Sequence, residues 1–138
     1  MIVLLVHLDE LAVRPNRIAD LIPVDQIQPW ATQHHSRVAC VPAVERGPTF
    51  GAQIVFRHYS AFWRFPTPRC WDVLRGETVL LAGGWRSLCI RQVFEMLRQR
   101  EIDARLVPEW IAPDPPQWLA RGNAPWSYPK PYVVTVHN

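Results

Sequence analysis

The sequence predicts an α/β fold, a three-layer sandwich with a mainly parallel sheet, and three observations carry that expectation. Residues 78–82 form an apolar, branched run of the kind a strand buried on both faces requires. Gly83-Gly84 breaks the run, after which Ile90, Val93, Phe94 and Leu97 recur at helical spacing while Arg91, Arg98 and Arg100 face elsewhere. Residues 103–107 (DARLV) then read as the next strand, completing a strand, crossover helix and strand unit. Alternation of this kind along a chain gives helices on both faces of a parallel sheet.

The remaining elements follow in order. Residues 2–8 open the chain as an apolar strand, and a short helix over 17–22 ends at Pro23 as the only helix expected within 14–36. Strands are expected at 37–42 and 53–56, a short helix at 69–75, and the crossover helix at 88–101 with Ser87 as its N-cap. From residue 108 the character changes: seven of the fourteen prolines fall within 108–131, together with Trp110, Trp118 and Trp126. Residues 115–122 suit one capped turn or two, with proline at the start and glycine at the end, and 132–136 alternate like a strand. The chain thus divides into an α/β domain over 1–112 and an extended aromatic, proline-rich tail over 113–138. Such a tail loses little entropy on docking, so it either covers its own sheet or joins a homo-oligomer or protein partner.

Length and composition set further bounds. A chain of 138 residues can bury one real core. Its net charge of +3 is spread evenly between the two halves, which gives a nucleic-acid surface no support. Three cysteines, without the spacing of a disulfide framework, fit a reduced cytoplasmic compartment. The first eight residues lack the basic start and length of a signal peptide, and no segment approaches the ~18 apolar residues that span a bilayer. No membrane association is expected.

Cys89 is the residue whose position suggests chemistry. It falls at the start of the crossover helix, beyond the carboxyl end of strand 78–82, where open α/β sheets bind ligands. A thiol in a helix first turn feels unpaired N–H groups and the positive end of the dipole, with Arg86 adding to the effect, so its pKa is expected to fall from ~8.5 toward ~7. The alternative is a small apolar residue that packs the helix onto the sheet.

The run from Gly83 to Ile90 (GGWRSLCI) resembles the Gly-x-x-x-x-x-Cys-Val turn of isochorismatase-like cysteine hydrolases, which include nicotinamidases. Upstream, residues 57–62 (RHYSAF) are similar to that family's Lys-x-x-Tyr-Ser-Ala-Phe segment, and residues 2–10 to its first strand. The resemblance covers roughly residues 2–10 and 50–112. It implies that Cys89 is the nucleophile, that a cis peptide lies just after the glycine, and that an aspartate at the end of the first strand completes the site. The chain departs from the pattern in two places. Its one lysine, Lys130, is far from the position of the family's catalytic lysine, where Phe56 or Arg57 stands. Arginine is a fixed charge that does not exchange a proton at working pH. At the aspartate position stands Leu8, with Asp9 one residue later, and one step along a strand turns a side chain to the opposite face.

The candidate catalytic set is therefore Cys89, Asp9, Arg57 and His58, the last as a replacement general base. His34-His35 reads as a surface loop rather than a metal site, His7 as a hydrogen-bonded core residue, and Cys40 and Cys70 as structural. No cofactor or metal is expected. Two functions follow. One is a non-catalytic or degenerate isochorismatase-like protein with an assembly or partner-binding role through its tail. The other is a divergent cysteine hydrolase that acts on a small amide or related carbonyl substrate through Cys89.

Overall fold

The computed structural model describes residues 1–12, 18–44, 46–56 and 68–136. Its centre is a five-stranded parallel sheet in the order β3-β2-β1-β4-β5, formed by β1 (Ile2–Val6), β2 (Arg37–Val41), β3 (Ile54–Val55), β4 (Thr78–Gly83) and β5 (Asp103–Ile111). β1 lies between β2 and β4, with Val3 opposite both Val38 and Leu80. All five residues of β1 are buried, which is why its sequence is a continuous apolar run rather than an alternating one.

Successive residues of these strands feed opposite faces of the sheet. On one face Leu4, Val6, Leu81 and Leu106 pack against Ile90, Val93, Phe94 and Leu97 from the region of the helix α5 (Arg91–Gln99), and against Leu74 from α4 (Pro68–Leu74). On the other, Val3, Leu5, Cys40 and Ala82 pack against α1 (Leu8–Ala12), α2 (Ile18–Leu21) and α3 (Val24–Gln33) through Leu11, Ile27, Trp30 and Ala31. The result is three layers, helix on sheet on helix. Strands and helices at 2–6, 18–21, 37–41, 54–55, 68–74 and 78–83 fall where the sequence places them.

Four local features differ from the sequence expectation. The first strand stops at Val6 because His7 takes a left-handed conformation (φ 53°), and residues 8–12 turn into α1. A second helix, α3, follows directly after Pro23, where no helix was expected. Pro23 stands at its N-cap, where the missing N–H costs nothing, and Pro29 is tolerated inside because Ile27, Trp30 and Ala31 bury the inner face. His34 closes the helix: its Nδ1 lies 2.8 Å from the Trp30 carbonyl and its ring stacks on Trp30 at 4.1 Å. β5 continues past Val107 to Ile111 by bulging around Pro108, since Leu81 pairs with Leu106 but Gly83 pairs with Ile111.

The tail is the fourth difference. Residues 116–120 form the short helix α6, as the proline and glycine pattern implies. Residues 132–136 do not form a full strand. They touch β5 through the Leu106–Val133 bridge and a 2.9 Å bond from the Val134 N–H to the Leu106 carbonyl. Several of the tail's large side chains lie on the chain's own core, while Leu119 is exposed. Trp126 and Tyr132 meet Phe94 edge-on at 5.6 and 5.5 Å, and Val134 and Val136 pack on the opposite face of the sheet. Among the described residues, no helix is long and apolar enough to cross a membrane.

Candidate functional site

The order β3-β2-β1-β4-β5 places a topological switch between β1 and β4: the chain leaves β1 toward β2 on one side and returns to β4 on the other. Connections diverging from two neighbouring strands open a crevice at their carboxyl ends. A pocket of about 420 Å³ lies there. His7 and Glu10 reach it from the end of β1, Ala43 and Val44 from the end of β2, and Trp85, Leu88 and Cys89 from the segment after β4, with Pro115 completing the wall.

Glycine makes the approach of β1 and β4 possible. Gly83 has φ +117°, and a Cβ there would collide with the Val6 carbonyl. Gly84 continues the contact, its N–H donating to the Val6 oxygen at 3.1 Å. The Gly84–Trp85 peptide bond is cis.

Cys89 sits in a wide turn over Arg86–Ile90 rather than in the first turn of a regular α-helix. Leu88 departs from helical geometry (φ −109°, ψ −107°), and the Ile90 N–H bonds the Trp85 carbonyl five residues back at 3.2 Å. Ser87 does not cap this segment with its own side chain. Asp114 does so from outside, accepting the Ser87 N–H at 2.7 Å and the Ser87 hydroxyl at 2.6 Å. The positive end of the helix is thereby answered by a buried carboxylate and not by the thiol.

The expectation of a lowered Cys89 pKa is accordingly corrected. Burial and the nearby Glu10 carboxylate push the thiol up to about 11. Removing a thiolate from water costs free energy, and a neighbouring negative charge raises that cost further. Cys40, buried within β2, is pushed up to about 12 by burial and by Asp9, as expected of a structural thiol.

Asp9 lies in the first turn of α1, 1% exposed, and does not line the pocket. Its Oδ1 accepts the Ala43 N–H at 2.8 Å, and its Oδ2 accepts the Ala43 and Val44 N–H groups at 2.9 and 3.0 Å. It ties the loop after β2 to the end of β1. The carboxylate that does reach the pocket is Glu10, the next residue. Arg57 and His58 lie outside the described residues.

Two pocket residues escaped the sequence reading. His7 is only 3% exposed and lines the same pocket as Cys89. The signal available was its place at the end of an all-apolar central strand, where the crevice rule puts functional side chains. Glu10 was overlooked because the strand was carried through residue 8, and only the turn at His7 brings residue 10 round. Among the described residues, no group of three or more His, Cys, Asp and Glu side chains is placed to hold a metal ion. Comparison of the chain with protein-family models, curated proteins and solved structures gives no match.

Proposed function

We propose that this chain is a degenerate isochorismatase-like protein whose pocket binds a small organic molecule without covalent turnover. One observation carries the reading: the Asp9 carboxylate is committed to the Ala43 and Val44 amides and does not line the pocket, while burial and Glu10 push the Cys89 thiol up. A thiol pushed up in this way is less ionised at neutral pH than the few per cent of an ordinary cysteine. A nucleophile so depleted lacks the charge that acyl transfer requires, and Asp9 is not placed to supply a base. The pocket itself persists, at the crevice and at the lower end of the size range of small-molecule sites. Trp126, Tyr128 and Tyr132 of the tail pack on the chain's own core, and the proposed role rests on the pocket.

The second reading, a divergent cysteine hydrolase, is favoured by one feature: His7, a residue type suited to proton transfer, lines the pocket with Cys89. A panel of small amides and their corresponding acids separates the two. The proposal predicts saturable chemical-shift changes at Trp85 and Leu88 for some members and no product from any. Product formation that disappears in Cys89→Ala would overturn it in favour of the hydrolase.

A further inference from the structure

The wide turn that carries Cys89 is held from outside by the tail. Asp114 accepts both the N–H and the hydroxyl of Ser87. The Ser87 oxygen in turn accepts the Trp126 N–H at 2.6 Å, and Arg86 Nε donates to the Trp126 carbonyl at 2.7 Å. The Arg86 guanidinium lies 4.2 Å from the centre of the Tyr128 ring, and the Arg86 backbone N–H donates to the Ala112 carbonyl at 3.1 Å. Both backbone groups of Trp126 are thus fixed by two successive residues of the turn, and Trp126 packs edge-on against Tyr128 at 5.5 Å. Asp114 also adjoins Pro115, which forms part of the pocket wall. Burial pushes the Tyr128 phenol up, with Arg86 opposing and Asp114 adding to the rise.

From this geometry we infer that Arg86, Ser87, Asp114, Trp126 and Tyr128 form a latch through which the tail sets the shape of the Cys89 pocket. The inference rests on the reading of that pocket as the functional site. Two states follow. With the tail docked, the turn is held in place and Cys89 is half-buried in the pocket wall. With the tail released, Ser87 and Arg86 lose their partners, the turn relaxes, and Cys89 becomes more exposed while the sheet beneath stays intact. A ligand that fits only one of these shapes is linked to tail docking by its difference in affinity. The Ser87 hydroxyl is the residue on which both halves of the latch depend, since it donates to Asp114 and accepts from Trp126.

Iodoacetamide labelling of the full chain, read cysteine by cysteine from peptide masses, tests the latch without any ligand. Its outcome is therefore independent of whether the pocket binds the amide panel. Cys40, 1% exposed within β2, reports global opening. Ser87→Ala and Tyr128→Ala are expected to raise the Cys89 rate at least ~10-fold relative to Cys40, because local release frees only the turn. Ser87→Thr keeps the hydroxyl and is expected to stay near the unmodified chain. If Ser87→Ala does not fold, Tyr128→Ala decides alone. Equal acceleration at Cys89 and Cys40, or no change at Cys89, would overturn the latch.

Discussion

Gly83→Ala is expected to remove a large part of the stability of the fold. Gly83 ends β4 at φ +117°, and an added methyl would drive into the Val6 carbonyl of the neighbouring central strand. Neither side can yield cheaply. The Val6 oxygen accepts the Gly84 N–H at 3.1 Å, and the Gly83 oxygen accepts the Ala112 N–H at 2.7 Å, so separating the strands breaks the sheet where the pocket forms. A strained φ costs about 1–3 kcal/mol and overpacking another ~1–3 kcal/mol. Together they consume much of the ~5–15 kcal/mol that holds a domain of this kind folded. Gly76 supplies the control, since it has φ +80° but nothing within 4 Å of its added Cβ. Gly76→Ala should cost only about 1–2 kcal/mol for the backbone alone. Urea unfolding of both variants measures the difference, and equal losses would show that the collision at Val6 does not matter.

Asp9→Ala should produce the second largest loss, about 2–3 kcal/mol. The side chain is almost wholly buried and receives two backbone N–H groups from the loop after β2. Hydrogen bonds to a charged acceptor are worth about 1.5–3 kcal/mol, and removing the acceptor leaves its donors to find water or go unmet. Asp9→Asn keeps one acceptor oxygen and should recover part of the loss. Gly47 packs so closely on this carboxylate that a methyl there would collide with it, and Gly47→Ala should reproduce part of the effect. Chemical denaturation gives the values. A loss below about 1 kcal/mol for Asp9→Ala would return Asp9 to the candidates for proton transfer.

The sheet was legible in the sequence because β1, β2 and β4 are runs of apolar, mostly branched residues bounded by polar or glycine positions. What stayed hidden depended on single backbone events that composition does not encode. The left-handed turn at His7 ended β1 two residues early, and that turn decides that Glu10 and not Asp9 reaches the pocket. Pro23 and Pro29 masked α3, because proline's local penalty was offset by burial of Trp30 and Ile27 on the opposite face. Pro108 masked the far half of β5, which survives as a bulge. The thiol's environment was invisible for a different reason. Burial and Glu10, which act on the thiol, and Asp114, which holds Ser87 in the same turn, come from parts of the chain far from Cys89, and only the fold brings them together.

The glycine-rich turn and Cys89 were found at the expected edge of the sheet, so position was readable where reactivity was not. A helix start raises thiol acidity only when the thiol faces the free amides. Here Asp114 holds the Ser87 amide, and Leu88 breaks the helical geometry just before Cys89. The same residues that resemble a nucleophile's turn therefore present a protonated thiol.

The most direct test of that claim is the pH dependence of Cys89 alkylation in the folded chain, followed at the Cys89 peptide between pH 6 and the alkaline limit of folding. Only the thiolate reacts, so the rate rises tenfold per pH unit until the thiol's own pKa is reached. The account predicts a rise that continues beyond pH 9 toward a midpoint near 11. A plateau reached below about pH 8 would mean an activated cysteine, and would contradict the assignment of this pocket to binding rather than catalysis.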